Sequence, residues 1–119
     1  MDGGPGRRLS FIQLEGFASA WDRLGLTDDD LIALEEEIAP DPTGWPVVPG
    51  TGGLRKARFA PPSWKTGKSG GVRVGYYFRV TRGLVFLMLL YAKKNQGTMT
   101  AREKSEARET IAWIDRKFG

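Results

Sequence analysis

The chain contains no cysteine and no histidine. The first absence excludes disulfide frameworks, thiolate nucleophiles and zinc sites built on sulfur. The second removes the usual general base of Ser-His-Asp chemistry and the commonest metal ligand. Long apolar runs are also missing. The most apolar, Leu84 to Ala92, is nine residues, against the roughly 20 that a membrane-spanning helix needs. Nothing near Met1 has the pattern of a signal peptide, so the expected location is the cytoplasm, with no membrane partner. With 40% apolar and 27% charged residues, the composition is neither disordered nor collagen-like. A length of 119 residues suits a single domain over the whole chain. Residues 1–8 are expected to be flexible.

Acidic side chains are missing from one long stretch. Residues 51–99 hold ten bases and no acid, whereas residues 1–50 hold three bases against ten acids, and residues 100–119 five against four. The net charge of +4 hides this segregation. Solvated surfaces usually mix their signs. Ten bases without one acid point instead to a site for a polyanion.

Periodicity supplies the scaffold. Leu9 to Glu15 reads as a short strand. Phe17, Ala20, Trp21 and Leu24 recur at helical spacing. Thr27 then offers an N-cap for a second helix, with Asp28, Asp29 and Asp30 complementing the dipole in its first turn. That helix runs to about Ala39, where Pro40 and Pro42 stop it, and Asp41 to Gly53 is loop chemistry. Alternation over Leu54 to Ala60 puts Lys56 and Arg58 on one face and Arg55, Ala57 and Phe59 on the other. Val72 to Val80 alternates most clearly. Arg82-Gly83 makes a tight turn, and Leu84 to Tyr91 is apolar on both faces, as a covered central strand should be. Thr100 to Glu103 is a capping-box pattern, followed by an apolar stripe of Ala107, Ile111, Ile114 and Phe118. The expected class is α+β, with two N-terminal helices beside a mostly antiparallel sheet (a short first strand and a three-strand meander) and a closing helix.

The triplet Gly67-Lys68-Ser69 is not a phosphate-binding loop, because Pro62 occupies the position of the required upstream glycine and a strand follows in place of a helix. Gly67 to Gly71 reads as a flexible hairpin loop or as a basic flap over a phosphate backbone. Three longer runs carry a family resemblance: Pro49-Gly50-Thr51-Gly52-Gly53-Leu54-Arg55-Lys56-Ala57-Arg58, Gly67-Lys68-Ser69-Gly70-Gly71-Val72-Arg73-Val74-Gly75-Tyr76-Tyr77, and Leu89-Leu90-Tyr91-Ala92-Lys93-Lys94. From about Phe17 onward the chain resembles the RelE/HigB toxins of bacterial type II toxin–antitoxin modules. The resemblance implies the RelE/ParE-like version of the α+β fold and ribosome-dependent cleavage of messenger RNA without metal or cofactor. It also implies the ribosome and mRNA as partners, together with a cognate antitoxin of helix-turn-helix type.

Metal-free RNA cleavage must deprotonate a 2′-hydroxyl, neutralise a dianionic phosphorane and protonate the departing 5′-oxygen; fixed cations suit the middle task. By resemblance, Lys56 and Arg58 match the paired bases of the second strand, Arg73 the arginine opening the third, and Lys94, or its neighbour Lys93, the base after the fourth. Lys56 is the candidate general base, Arg58 and Arg73 are phosphate clamps, and Lys94 is a second clamp or acid. Arg55, Lys65, Lys68, Lys93 and Tyr91 are expected to contact RNA. Where some relatives carry a tyrosine after the last base, this chain has Thr100. Two other readings stay open: a ParE-like protein that binds DNA gyrase, and a non-catalytic RNA- or ribosome-binding module. Arg79 and Arg82 read as solvated charges at a hairpin tip. Glu35 to Glu37 reads as a solvated helix face. Trp45 and Trp64 either stack on a base or cover a core edge.

Overall fold

A computed structural model describes residues 9–65, 67, 70–92 and 98–119. The expected flexibility of residues 1–8 concerns a segment outside the described residues. In chain order the elements are β1 (Ser10–Gln13), α1 (Glu15–Arg23), α2 (Asp28–Ile38), β2 (Arg55–Phe59), β3 (Val72–Arg79), β4 (Leu84–Ala92) and α3 (Ala101–Phe118). The strands form one mixed sheet in the order β1-β4-β3-β2; β1 runs parallel to β4 and the other neighbours are antiparallel. The α+β class and the order of helices and strands agree with the periodicity.

Each element buries the residues its spacing brings together. α1 buries Phe17, Ala20 and Trp21, the i, i+3, i+4 set. α2 starts with a reciprocal cap, in which the Thr27 Oγ1 accepts from the Asp30 amide at 3.1 Å and the Thr27 amide donates to Asp30 Oδ2 at 2.9 Å. Asp28 and Asp29 are exposed first-turn acids, but Asp30 is only 1% exposed. Its Oδ1 accepts from the Ser63 amide at 3.1 Å and its Oδ2 from the Ser63 hydroxyl at 2.6 Å. Burial alone would raise its pKa, but the hydrogen bonds from Ser63 and Thr27 outweigh burial and hold it below the ordinary carboxylate value. The turn leaving β2 is thereby fastened to the start of α2.

Two apolar clusters lie on the two faces of the sheet. Phe17, Trp21, Leu34 and Ile38 of the first two helices meet Ala57, Phe59, Val72, Val74, Tyr76, Val85, Leu87 and Leu90 on one face. On the other, Ala107, Ile111 and Ile114 of α3 meet Leu54, Phe86 and Met88. The two-sided apolar character of β4 follows from this sandwiching. Between β3 and β4 the register slips by one residue: Gly75 pairs with Leu89 but Tyr76 pairs with Leu87, leaving Met88 as the extra residue of a bulge.

Two glycines are required by the turns. A side chain on Gly71 would overlap the Phe59 carbonyl oxygen, so the chain can enter β3 beside β2 only without one. Gly83 takes φ +64° to close the turn into β4. At that turn the expectation of a solvated Arg79 is corrected, whereas Arg82 is exposed as expected. Arg79 pairs with Asp115 at 3.2 Å, Arg82 Nε donates to the Phe118 carbonyl at 3.1 Å, and the Tyr77 hydroxyl donates to Asp115 at 2.6 Å. The β3–β4 turn grips the C-terminal end of α3 because that helix ends alongside it. Among the described residues no helix is long and apolar enough to cross a membrane.

Candidate functional site

Period-two alternation in β2 buries Ala57 and Phe59 under the first two helices and turns Lys56 and Arg58 to the opposite face. In the ladder Arg58 stands opposite Arg73, and Arg73 opposite Tyr91. Directly paired residues share a face and approach to about 5 Å between Cβ atoms. Arg58, Arg73 and Tyr91 therefore form one row across three strands. Lys56 lies one pleat away on that face, with its Nζ 5.8 Å from the centre of the Tyr91 ring. α3 packs over Leu54, Phe86 and Met88 of this face, and Lys56, Arg58, Arg73 and Tyr91 keep contact with solvent.

The loop after α2 builds a wall beside the row. Its segment Pro46 to Val48 runs along the outer edge of β2. The Pro46 carbonyl accepts from the Lys56 amide at 3.2 Å, and the Val48 amide donates to the Leu54 carbonyl at 2.8 Å. The buried Thr51 hydroxyl donates to the Val48 carbonyl at 2.7 Å and accepts from the Leu54 amide at 3.0 Å, closing the loop on itself. From the far face of β2, Arg55 Nη1 donates to the carbonyls of Thr43 at 3.0 Å and Trp45 at 2.6 Å. Trp45 in turn presents its ring to Arg58, whose Cζ is 5.7 Å from the ring centre. A cleft of about 450 Å³ results, with Trp45, Pro46, Val47, Val48 and Pro49 on one wall and Lys56, Arg58 and Arg73 on the other. Among the described residues no carboxylate lines it. A second cleft, of about 390 Å³, opens on the Tyr91 side between Leu14, Met88, Leu89, Met99 and the α3 residues Glu103 and Glu106.

The fold thus brings together Lys56, Arg58, Arg73 and Tyr91 of the expected site. Arg55 is set apart on the opposite face, where it holds the loop carbonyls. Lys65 is exposed at a left-handed position, φ +52°, and does not line the cleft. Lys68, Lys93 and Lys94 lie outside the described residues, as does the basic part of the Gly67 to Gly71 flap. Trp64 packs against the core beside α2. Trp45 both packs against that core's edge and lines the cleft. The sequence signal for it is an aromatic in a Pro- and Gly-rich loop next to a cationic strand.

Thr100 is the N-cap of α3; its Oγ1 accepts from the Glu103 amide at 3.1 Å, and the Glu103 carboxylate accepts from the Thr100 amide at 2.9 Å. Among the described residues no group of three or more acidic side chains is arranged to hold a metal ion. Chemically, the row can hold a phosphate between two guanidinium groups and offer flat rings to either side. No protein-family model matches this chain.

Proposed function

We propose that the protein is a RelE/HigB-like toxin that cleaves messenger RNA on the ribosome without a metal and is neutralised by a cognate antitoxin. The observation that carries this reading is the convergence of Lys56, Arg58 and Arg73 in one cleft that no carboxylate lines among the described residues. The carboxylate-free lining preserves a positive potential that draws in a polyanion. In this mechanism the 2′-oxygen gives its proton to Lys56 as candidate base and attacks the adjacent phosphorus. Arg58 and Arg73 neutralise the dianionic phosphorane. The bond from phosphorus to the 5′-oxygen then breaks, that oxygen takes a proton, and a 2′,3′-cyclic phosphate remains. Lys94 is the candidate acid or second clamp. The RelE/ParE-like variant of the α+β fold belongs to the same proposal, as does action in the cytoplasm.

Induction of the chain alone in bacterial cells tests the reading. The expected result is arrest of protein synthesis with in-frame cuts in translated messages. Growth arrest with intact messages and damaged DNA would overturn it in favour of a ParE-like gyrase binder. That second reading draws on Thr100, which caps a helix at the place where some members of the RelE/HigB family carry a tyrosine.

A further inference from the structure

The loop after α2 is held from the side of the sheet that the cleft does not occupy. Arg55 and Tyr76 stand opposite each other across the β2–β3 ladder, on the face that also carries Ala57 and Phe59. Between them they collect three loop carbonyls. Arg55 Nη1 takes those of Thr43 and Trp45, and the Tyr76 hydroxyl donates to that of Pro42 at 2.7 Å. Donors of the same turn are met inside it: Asp41 Oδ1 accepts from the Thr43 amide at 3.2 Å and hydroxyl at 2.9 Å, and the Asp41 carbonyl accepts from the Gly44 amide at 2.9 Å. From Trp45 onward the loop rounds the edge of β2 and becomes the wall of the cleft. On the cleft side, Arg58 makes no hydrogen bond or ion pair among the described residues; its contact is the Trp45 ring.

We propose that Arg55 is a positioning residue for the cleft: by drawing the Thr43 and Trp45 carbonyls to the far face, it keeps the Trp45 ring against the Arg58 guanidinium and leaves that guanidinium open to an anion. The choice of a reacting phosphate as that anion rests on the nuclease reading, which the proposal extends to a residue that touches no substrate. Two physical points favour this role over simple filling of space. A loop carbonyl that lost its donor would take another, and Lys56 and Arg58 are the cations facing the wall that this loop builds. A backbone acceptor on either one would compete with a phosphate oxygen. Second, two bonds from one charged nitrogen fix the chain on both sides of Gly44, a residue with little conformational preference of its own.

The test compares Arg55→Met, which keeps the reach of the side chain and removes its donors, with Arg55→Lys, which restores a charged donor. Nuclear magnetic resonance reads the Nε–H of Arg58, identified by its loss in Arg58→Lys. The ring current of Trp45 shifts that signal upfield while the two side chains stay together. Arg55→Met is expected to return it to the position of a solvated arginine, and Arg55→Lys to leave it near the wild-type position. On programmed ribosomes Arg55→Met should lower kcat by a factor of about 10 to 10² with KM nearly unchanged, because the contact disturbed is one made in the transition state. Arg55→Lys should recover most of that rate. An Arg55 with a merely structural role would lower the amount of folded protein, seen by circular dichroism, and leave the Arg58 signal of the folded fraction in place. If Arg55→Met does not fold, Tyr76→Phe, which frees the Pro42 carbonyl of the same turn, carries the test with a smaller shift in the same direction. An Arg58 signal that stays put in folded Arg55→Met, or in Tyr76→Phe where that variant stands in, overturns the proposal, as does a shift that Arg55→Lys does not reverse. Wild-type protein that cuts no message would sink the nuclease reading alone, since the resonance measurement needs no substrate; cut messages with an unchanged kcat in Arg55→Met would sink only the positioning role.

Discussion

Arg58 and Arg73 stand directly opposite each other across the β2–β3 ladder. Like charges in that position oppose folding by about 0.2–1 kcal/mol, and the contact of Arg58 with the Trp45 ring offsets about 0.5–1 kcal/mol of it. Such a pair makes sense where an anion comes to lie between its members. Under the proposed nuclease function, Arg73→Ala is therefore expected to leave stability within about 0.5 kcal/mol of wild type and to lower cleavage on programmed ribosomes by a factor of about 10² to 10³. Lys56→Ala should do the same. Wild-type rates in both variants, measured beside their thermal unfolding, would refute the assignment of these cations.

Asp30 makes acid stability local and measurable. Its pKa is lower in the folded chain than in the unfolded one, so its contribution is complete above the unfolded value of about 3.9 and disappears as pH falls through the lower folded value. Asp30→Asn turns an amide donor toward the Ser63 and Thr27 donors and should cost about 1–3 kcal/mol at neutral pH. Denaturant titrations in series from neutral pH into acid should show the gap between wild type and variant narrowing below about pH 4. A constant gap would mean the carboxylate's charge is irrelevant.

Tyr76 predicts the opposite limb. Burial of its phenol, reinforced by the Asp41 carboxylate and opposed by the Arg55 guanidinium, pushes its pKa up to about 12, and its hydroxyl donates to the Pro42 carbonyl at 2.7 Å. With the folded value above the unfolded one of about 10, this contribution is full below that value and is lost as pH rises through about 12. Tyr76→Phe should cost about 1 kcal/mol at neutral pH. Its deficit relative to wild type should shrink in alkali, as unfolding followed by circular dichroism would show.

Gly71→Ala should destabilise the fold by about 1–3 kcal/mol, because the added carbon overlaps backbone oxygen with no flexible side chain to yield. Since Gly71 immediately precedes β3 and lies two residues before Arg73, resistance to chemical denaturation and, under the proposed function, message cleavage should fall together. A stable, inactive variant would contradict this account.

The scaffold was largely legible because each element carries its own periodicity, and the facing of Lys56 with Arg58 follows from alternation alone. Relations between elements were not. The length of the β2–β3 connection does not fix which residue of β3 meets Arg58. Asp30 looks like any first-turn acid until Ser63, 33 positions later, comes to rest on it. Arg79 and Arg82 have partners only because α3 ends beside their turn. Trp45 joins the cleft because its loop closes the open edge of β2, a consequence of tertiary placement that no local pattern contains.

The bulge at Met88 decides which way the end of β4 looks. Strand residues count in twos, so on an unbroken β4 the even positions Leu84, Phe86, Met88 and Leu90 would face α3, and Tyr91 would point with Val85 and Leu87 into the α1 side. The extra residue exchanges odd for even: Leu90 enters the core under α1, and Tyr91 comes out beside Arg73. Loss or gain of one residue here is thus a reversal of face, whereas a change of two is only a change of reach. The parity of this short stretch, more than the identity of its aliphatic side chains, is what the cleft requires of β4.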